Sequence, residues 1–259
     1  VGNLIAAAAL AGVVFVLGPT VHIIDTFTNS LGGYASEFVR MSLRLTPFRD
    51  SSWVGRWTIF YWAWWLAWSP FVGLFIARVS RGRTIREFVL GVVIAPTLVA
   101  FLWFSIFGGA ALSLEIFQGA PLADVAAKDS SLALFAMLQQ LPLATLTSII
   151  GTLLVVVFFV TSGDSATLVL ATMSHGGADN PPHRSKIIWG VLIAGIAAAL
   201  LLAGGVQAVQ TASIVFALPF TAVVVLMAVA LVRAIRADWE ADQKRQRALR
   251  RRMEQLVQP

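Results

Sequence analysis

No cysteine occurs anywhere in the 259 residues. That absence excludes a disulfide scaffold, a thiolate metal site and a cysteine nucleophile. Histidine is nearly as scarce. His22, His175 and His183 are the whole supply, none of them at the spacing of a ligand pair, so no histidine-built metal centre is expected. Charge is scarce too, at 12% of residues against about 25% in an ordinary soluble domain. In its place stand apolar residues, 58% of the chain, and a mean hydropathy of +0.81. Folding in water buries only ~75% of the surface that a chain of this size exposes. Too much apolar surface would remain, and a soluble enzyme is excluded. The few charges lean basic, with a formal net charge of +6, which leaves nucleic acid, anionic lipid or membrane topology as the explanation.

The charge-free runs locate the membrane. Residues 57–77, 88–114, 130–163 and 187–232 each lie between charged residues and contain none, the last long enough for two passes at about 20 residues per span. The expected fold is an all-α integral membrane protein with six transmembrane helices at about 3–27, 57–77, 86–110, 143–172, 186–204 and 209–233. Gly204-Gly205 supplies the turn between the last two. The first span begins at Val1, without methionine or a basic leader, and the chain is read as a piece of a longer protein entered mid-membrane.

Arginine and lysine in short loops set the orientation. Arg78, Arg81, Arg83 and Arg86 follow the second span, Arg184 and Lys186 adjoin the fifth, and the tail is rich in arginine. All three basic regions fall on one side, expected to be cytoplasmic, with the C-terminus there and the protein in the cell's inner (plasma) membrane. One loop runs against this assignment, since Arg40, Arg44, Arg49 and Arg56 fall outside. Tyr34, Phe38, Met41 and Leu45 recur there at helical spacing and predict an amphipathic helix lying on the outer surface.

The second span carries an aromatic stripe. Trp57, Tyr61, Trp64, Trp65 and Trp68 fall at i, i+4, i+7, i+8 and i+11, which is one helix face. Tryptophan belts sit at membrane interfaces, yet this stripe runs inward from one end to the middle of the run, where Trp68 lies next to its centre. Indole faces attract cations, and aromatic cages bind quaternary ammonium groups in this way. Two readings stand together: a substrate cage, or a belt with helix packing. Pro70 removes a backbone donor, freeing the Leu66 carbonyl, and a kink or loosening is expected there, as in the broken helices where transporters hold substrate.

The run from Trp57 to Phe88 resembles the betaine/choline/carnitine transporter family. It contains Trp64-Trp65, Trp68-Ser69-Pro70-Phe71 and the arginine loop. Gly18-Pro19-Thr20, Trp103 to Gly109, and Thr161-Ser162 with Asp164-Ser165 resemble the same family in the same order. The resemblance implies the second half of a five-plus-five inverted-repeat fold. Residues 1–28 would be the last helix of the first repeat and 29–56 an extracytoplasmic connector. Residues 57–239 would be the second repeat and 240–259 a basic cytoplasmic tail. By the same resemblance Trp64, Trp65 and Trp68 surround a trimethylammonium group, with Trp62 and Tyr61 beside them, and aromatic residues of the absent first repeat complete the cage. The implied protein is no enzyme. It is a secondary transporter, a sodium-coupled symporter of glycine betaine, choline or carnitine serving osmoprotection. A sodium-independent exchanger of the same family and a truncated, non-transporting fragment are the alternatives.

Phe158, Thr161 and Ser162 stand at i, i+3 and i+4, so one carbonyl and two hydroxyls can converge. Hydroxyls in membrane helices ordinarily bond back to a carbonyl one turn earlier. The resemblance instead makes these three residues part of a sodium site, with Phe71 near a second. Sodium is then the coupling ion, and no cofactor is expected. Val72 stands where the family's sodium-independent exchangers carry methionine, which favours sodium coupling. Asp164, one turn inside the expected end of the fourth span, is either a functional carboxylate or solvated and paired with a loop arginine. Arg78, Arg81 and Arg83 are candidate regulatory residues, and the tail a partner for anionic lipid. The resemblance further implies a homotrimer, and no nucleic-acid partner is expected.

Overall fold

The computed structural model describes residues 2–44, 53–178 and 180–257, with the side chains of Arg78 and of residues 251–257 excepted. Among the described residues there is no strand; helix accounts for nearly all of them. The chain divides into two compact units, residues 1–45 with 75–193, and residues 46–74 with 194–259.

Among the described residues nine α-helices follow in order: α1 Gly2–Leu17, α2 Thr20–Ser42, α3 Phe60–Val79, α4 Ile85–Trp103, α5 Gly109–Gln118, α6 Leu122–Lys128, α7 Ala133–Leu138, α8 Ala144–Ser174 and α9 His183–Val257. A π-helical turn, Val54–Ile59, leads into α3, and another, Phe104–Gly108, joins α4 to α5. Four helical stretches are long and apolar enough to cross a membrane: Val54–Ala77, Ile85–Gln118, Ala144–Ser174 and His183–Arg250. The bent pair α1 and α2 makes a fifth if taken as one span. In α9 the backbone leaves the helical region at Gly204 and Gly205, where the paired glycines were expected to turn the chain. Beyond that break the helix runs on to Val257, so the charged tail is helical.

The first span ends earlier than its apolar run suggests. The sequence carries hydrophobic residues through Ile24, but α1 stops at Leu17 and α2 departs at 112°. Pro19 cannot continue the hydrogen-bond ladder. Gly18 allows the corner, since a Cβ there would lie 2.4 Å from the Val14 carbonyl oxygen. Gly18 N–H donates to Val14 O at 2.9 Å and Thr20 Oγ1 to Phe15 O at 2.7 Å, so the last carbonyls of α1 keep partners. The amphipathic helix expected over 28–56 therefore begins at Thr20. Its expected continuation through Leu45 and Arg49 lies outside the described residues.

In the first unit the core is built from Leu10 and Val14 of α1, Ile23 of α2, Phe107, Ala110 and Leu114 around α5, and Met137, Leu138, Leu141 and Leu154 about α7 and α8. Helices α2 and α5 approach closely. A Cβ on Gly109 would sit 3.1 Å from Thr26 Oγ1 and 3.3 Å from the Ile23 Cα. Between the spans, Glu115 closes the connection: its Oε2 accepts the N–H groups of Leu122 at 2.6 Å and Ala123 at 2.9 Å. Those are orphan donors at the start of α6, and a carboxylate suits them.

Candidate functional site

The aromatic stripe is a ladder of rings. Trp57 stacks on Tyr61 with centroids 6.1 Å apart and planes 9° apart. Tyr61 meets Trp64 edge to face at 6.0 Å, and Trp64 meets Trp68 edge to face at 6.1 Å. Trp65 lies 5.8 Å from Trp64, tilted by 55°. In an edge-to-face pair the edge of one ring covers one face of the other and leaves the opposite face uncovered. Trp65 and Trp68 are in fact exposed, at 59% and 41%. Trp62 is one residue on from Tyr61 and so about 100° around the axis. Among the described residues it has no place in the ladder, and it is 55% exposed.

At Pro70 the structure answers the expectation of a loosened helix. Helix α3 runs through the proline without interruption. The Leu66 carbonyl, which loses its backbone donor to Pro70, accepts instead from Ser69 Oγ at 2.9 Å. A hydroxyl one residue before the proline thus replaces the missing bond and holds the turn that carries Trp65 and Trp68. That compensation was readable in Ser69-Pro70 and missed. Phe71 packs its ring against Phe220 at 6.2 Å.

The oxygen patch belongs to α8. Thr161 Oγ1 donates to Val157 O at 2.9 Å and is 3.1 Å from Phe158 O. The Phe158 carbonyl and the Thr161 hydroxyl therefore do converge. Two oxygens about 3 Å apart can share one small cation, since hard cations take oxygen ligands at about 2.3–2.6 Å. Here they share a hydrogen bond. Ser162 is exposed on the same helix, and Ser165 Oγ bonds back to Thr161 O at 2.9 Å. Asp164 lies ten residues before the end of α8, about 15 Å along the axis, because the helix continues to Ser174. It already lies eight residues inside the end of the expected span at 172, more than the one turn stated. Among the described residues it has no ion pair.

The arginine loop leads into a capping box. Thr84 Oγ1 accepts from Glu87 N–H at 3.3 Å, and Glu87 Oε2 accepts from Thr84 N–H at 3.0 Å, which starts α4 immediately after the loop. Arg81 and Arg83 are exposed around Gly82; the Arg78 side chain lies outside the described residues.

The model of the BCCT, betaine/carnitine/choline family transporter, matches residues 2–240. This chain belongs to that family. It is 48% identical to an ectoine/hydroxyectoine transporter of Virgibacillus pantothenticus, over 90% of this chain and 47% of that protein. It is 47% identical to a glycine betaine transporter of Bacillus subtilis, over 90% of this chain and 45% of that protein. A glycine betaine/proline/choline transporter of Vibrio parahaemolyticus is 41% identical, over 90% of this chain and 42% of that protein. The chain spans about half the length of these curated relatives. Members of the betaine/carnitine/choline family are integral membrane transporters, not enzymes, in keeping with the apolar helices here.

Proposed function

We propose that the protein carrying this chain is a sodium-coupled secondary transporter of small compatible solutes that bear a quaternary ammonium group. Glycine betaine is the first candidate, then choline and carnitine. The observation that carries this reading is the ring ladder on α3, within a chain that belongs to the betaine/carnitine/choline family. A trimethylammonium group offers no hydrogen-bond donor, and a ring face is its natural partner. Each such contact contributes ~2 kcal/mol or more once desolvated. Trp64, Trp65 and Trp68 are the cage residues, Tyr61 extends it towards one end, and Trp62 takes a peripheral place. The names of the relatives support compatible solutes as the class, and the ectoine transporter adds ectoine, which has no quaternary ammonium group, as a candidate beside them.

Sodium is cargo in this scheme. Phe158 O, Thr161 Oγ1 and Ser162 Oγ are its candidate ligands, with Phe71 held for a second site. Alternating access would rock one helix bundle against the other around the solute. In the membrane the carrier would be a homotrimer with its arginine loop and helical tail on the cytoplasmic side, with Arg78, Arg81 and Arg83 as candidate regulatory residues and anionic lipid as a partner. A sodium-independent exchanger of the same family is the alternative; the Thr161 hydroxyl donates to carbonyls of its own helix and keeps lone pairs with which to bind a cation.

The test is uptake of labelled glycine betaine by the full-length protein in proteoliposomes, with and without an inward sodium gradient. Accumulation only with the gradient is expected. Equal uptake in its absence would remove sodium coupling. No uptake of glycine betaine, choline or ectoine would remove the transporter reading.

A further inference from the structure

Helix α8 is one of the most apolar stretches of the chain, yet the half of it away from the arginine loops has a polar side. Thr145, Ser148 and Thr152 fall at i, i+3 and i+7, on one face, and Gln139 stands just before the helix. With Ile149 and Leu153 they line an open groove of about 440 Å³. Several other hydroxyls of α8 bond back to carbonyls of their own helix, although the buried Thr172 hydroxyl has no partner and, among the described residues, none is found for Ser162. Thr147, which is buried, bonds to Leu143 O and Ala144 O, and Thr167 bonds to Gly163 O. In the groove only Thr152 does so, through Ser148 O at 2.8 Å. Among the described residues the side chains of Gln139, Thr145 and Ser148 make no hydrogen bond.

A polar group without a partner costs free energy in an apolar surrounding, and in hydrocarbon nothing else can satisfy it. An amide and two hydroxyls left open side by side therefore belong against water. Thr152 lies eight residues into α8, about 12 Å along its axis. The helix is about 46 Å long at 1.5 Å per residue, and the hydrocarbon core is ≈ 30 Å thick. An upright α8 centred on the bilayer puts Thr145 at headgroup level and carries Thr152 past the hydrocarbon boundary.

We propose that this groove is one wall of a water-filled entry path, taken by the zwitterionic solute on its way into the membrane. The inference rests on the transporter reading above. Neutral hydroxyl and amide donors suit the passage of a carboxylate: they replace part of its hydration without the charge that would trap it. The wall is polar at its mouth and narrows to the apolar run of residues 153–160, so the path should end near Thr152.

The experiment introduces Thr145→Cys, Ser148→Cys and Thr152→Cys singly into a cysteine-free version of the full-length protein. The probe is a membrane-impermeant methanethiosulfonate bearing a trimethylammonium group, applied from the side opposite the arginine loops. All three cysteines are expected to react. Saturating glycine betaine should slow the reaction at Thr152→Cys several-fold and leave Thr145→Cys nearly unchanged. Reaction at Thr145→Cys alone would overturn the proposal, because the groove would then be only the protruding end of a helix. Reaction at all three with no protection by glycine betaine would overturn the solute route. Uptake of labelled glycine betaine by the same preparation is measured in parallel. Labelling at Thr152→Cys without any uptake would count against the transported solute and leave the water-filled wall standing.

Discussion

The bond from Ser69 to Leu66 makes a measurable claim about how α3 tolerates a proline beside its aromatic ladder. Pro70 removes the donor that would normally satisfy the Leu66 carbonyl, and Ser69 Oγ replaces it at 2.9 Å. Ser69→Ala leaves that carbonyl without a partner. An orphaned, partly buried acceptor costs about 1–3 kcal/mol, and the surrounding span offers little water to relieve it. Pro70→Ala restores the backbone N–H, after which the Leu66 carbonyl no longer needs the hydroxyl. The two residues should therefore couple. Thermal unfolding of the full-length protein in detergent, followed by tryptophan fluorescence, would be measured for wild type, both single variants and the double variant. Ser69→Ala should lower stability by about 1–2 kcal/mol with proline at 70 and by almost nothing with alanine there, a coupling of the size seen for groups in one hydrogen-bond network. The effect of Pro70→Ala by itself cancels in this comparison. An equal cost of Ser69→Ala in both backgrounds would refute the compensation.

Three further predictions rest on single contacts. Gly109→Ala presses a Cβ against Thr26 and the Ile23 backbone at 3.1–3.3 Å and should cost about 1–3 kcal/mol in the same unfolding assay; an unchanged midpoint would contradict the tight approach of α2 and α5. Glu115→Gln weakens the acceptor for the Leu122 and Ala123 N–H groups and should speed hydrogen exchange at those two amides, with amides of the α8 core as unaffected controls. Asp129, in the connection before α8, is held below the ordinary aspartate range by the Ser131 hydroxyl and then by the Ser131 N–H. Its folded pKa is depressed, so its contribution to stability is present above the unfolded value and is lost as pH falls through the folded one. Ser131→Ala should raise that pKa in a carboxyl NMR titration, and no movement would remove the hydroxyl as its cause.

Much of the fold could be read from where charge is missing. Helix α8 matches the expected 143–172 to within two residues at either end. The break at Gly204-Gly205 followed from paired glycines. The corner at Gly18-Pro19 was harder, because Val21, Ile23 and Ile24 continue the apolar pattern that marked the span while the backbone already turns. Hydropathy reports the medium; it does not report direction. The helical spacing of Trp57, Tyr61, Trp64 and Trp68 predicted a shared face, and the rings do form a ladder. The edge-to-face angles between the rings depend on rotamers, which spacing does not specify. The one turn expected for Asp164 understated its place, since it lies eight residues before the expected end at 172. The groove on α8 went unnoticed because isolated threonines and serines are common in membrane helices, and it is the gathering of Gln139, Thr145, Ser148 and Thr152 along one open groove that sets these apart.

The most direct test of the central claim compares Trp68→Leu with Trp62→Leu in the full-length protein, measuring the affinity for glycine betaine and the level of folded protein in the membrane. Loss of one desolvated ring contact worth ~2 kcal/mol corresponds to roughly a 30-fold weaker affinity at 1.4 kcal/mol per tenfold. The account predicts that loss for Trp68→Leu, partial recovery in Trp68→Phe, and a much smaller change for Trp62→Leu, with folded protein retained in all three. An unchanged affinity in Trp68→Leu, or equal losses at both positions, would contradict a cage on this face and leave the tryptophans as an interfacial belt.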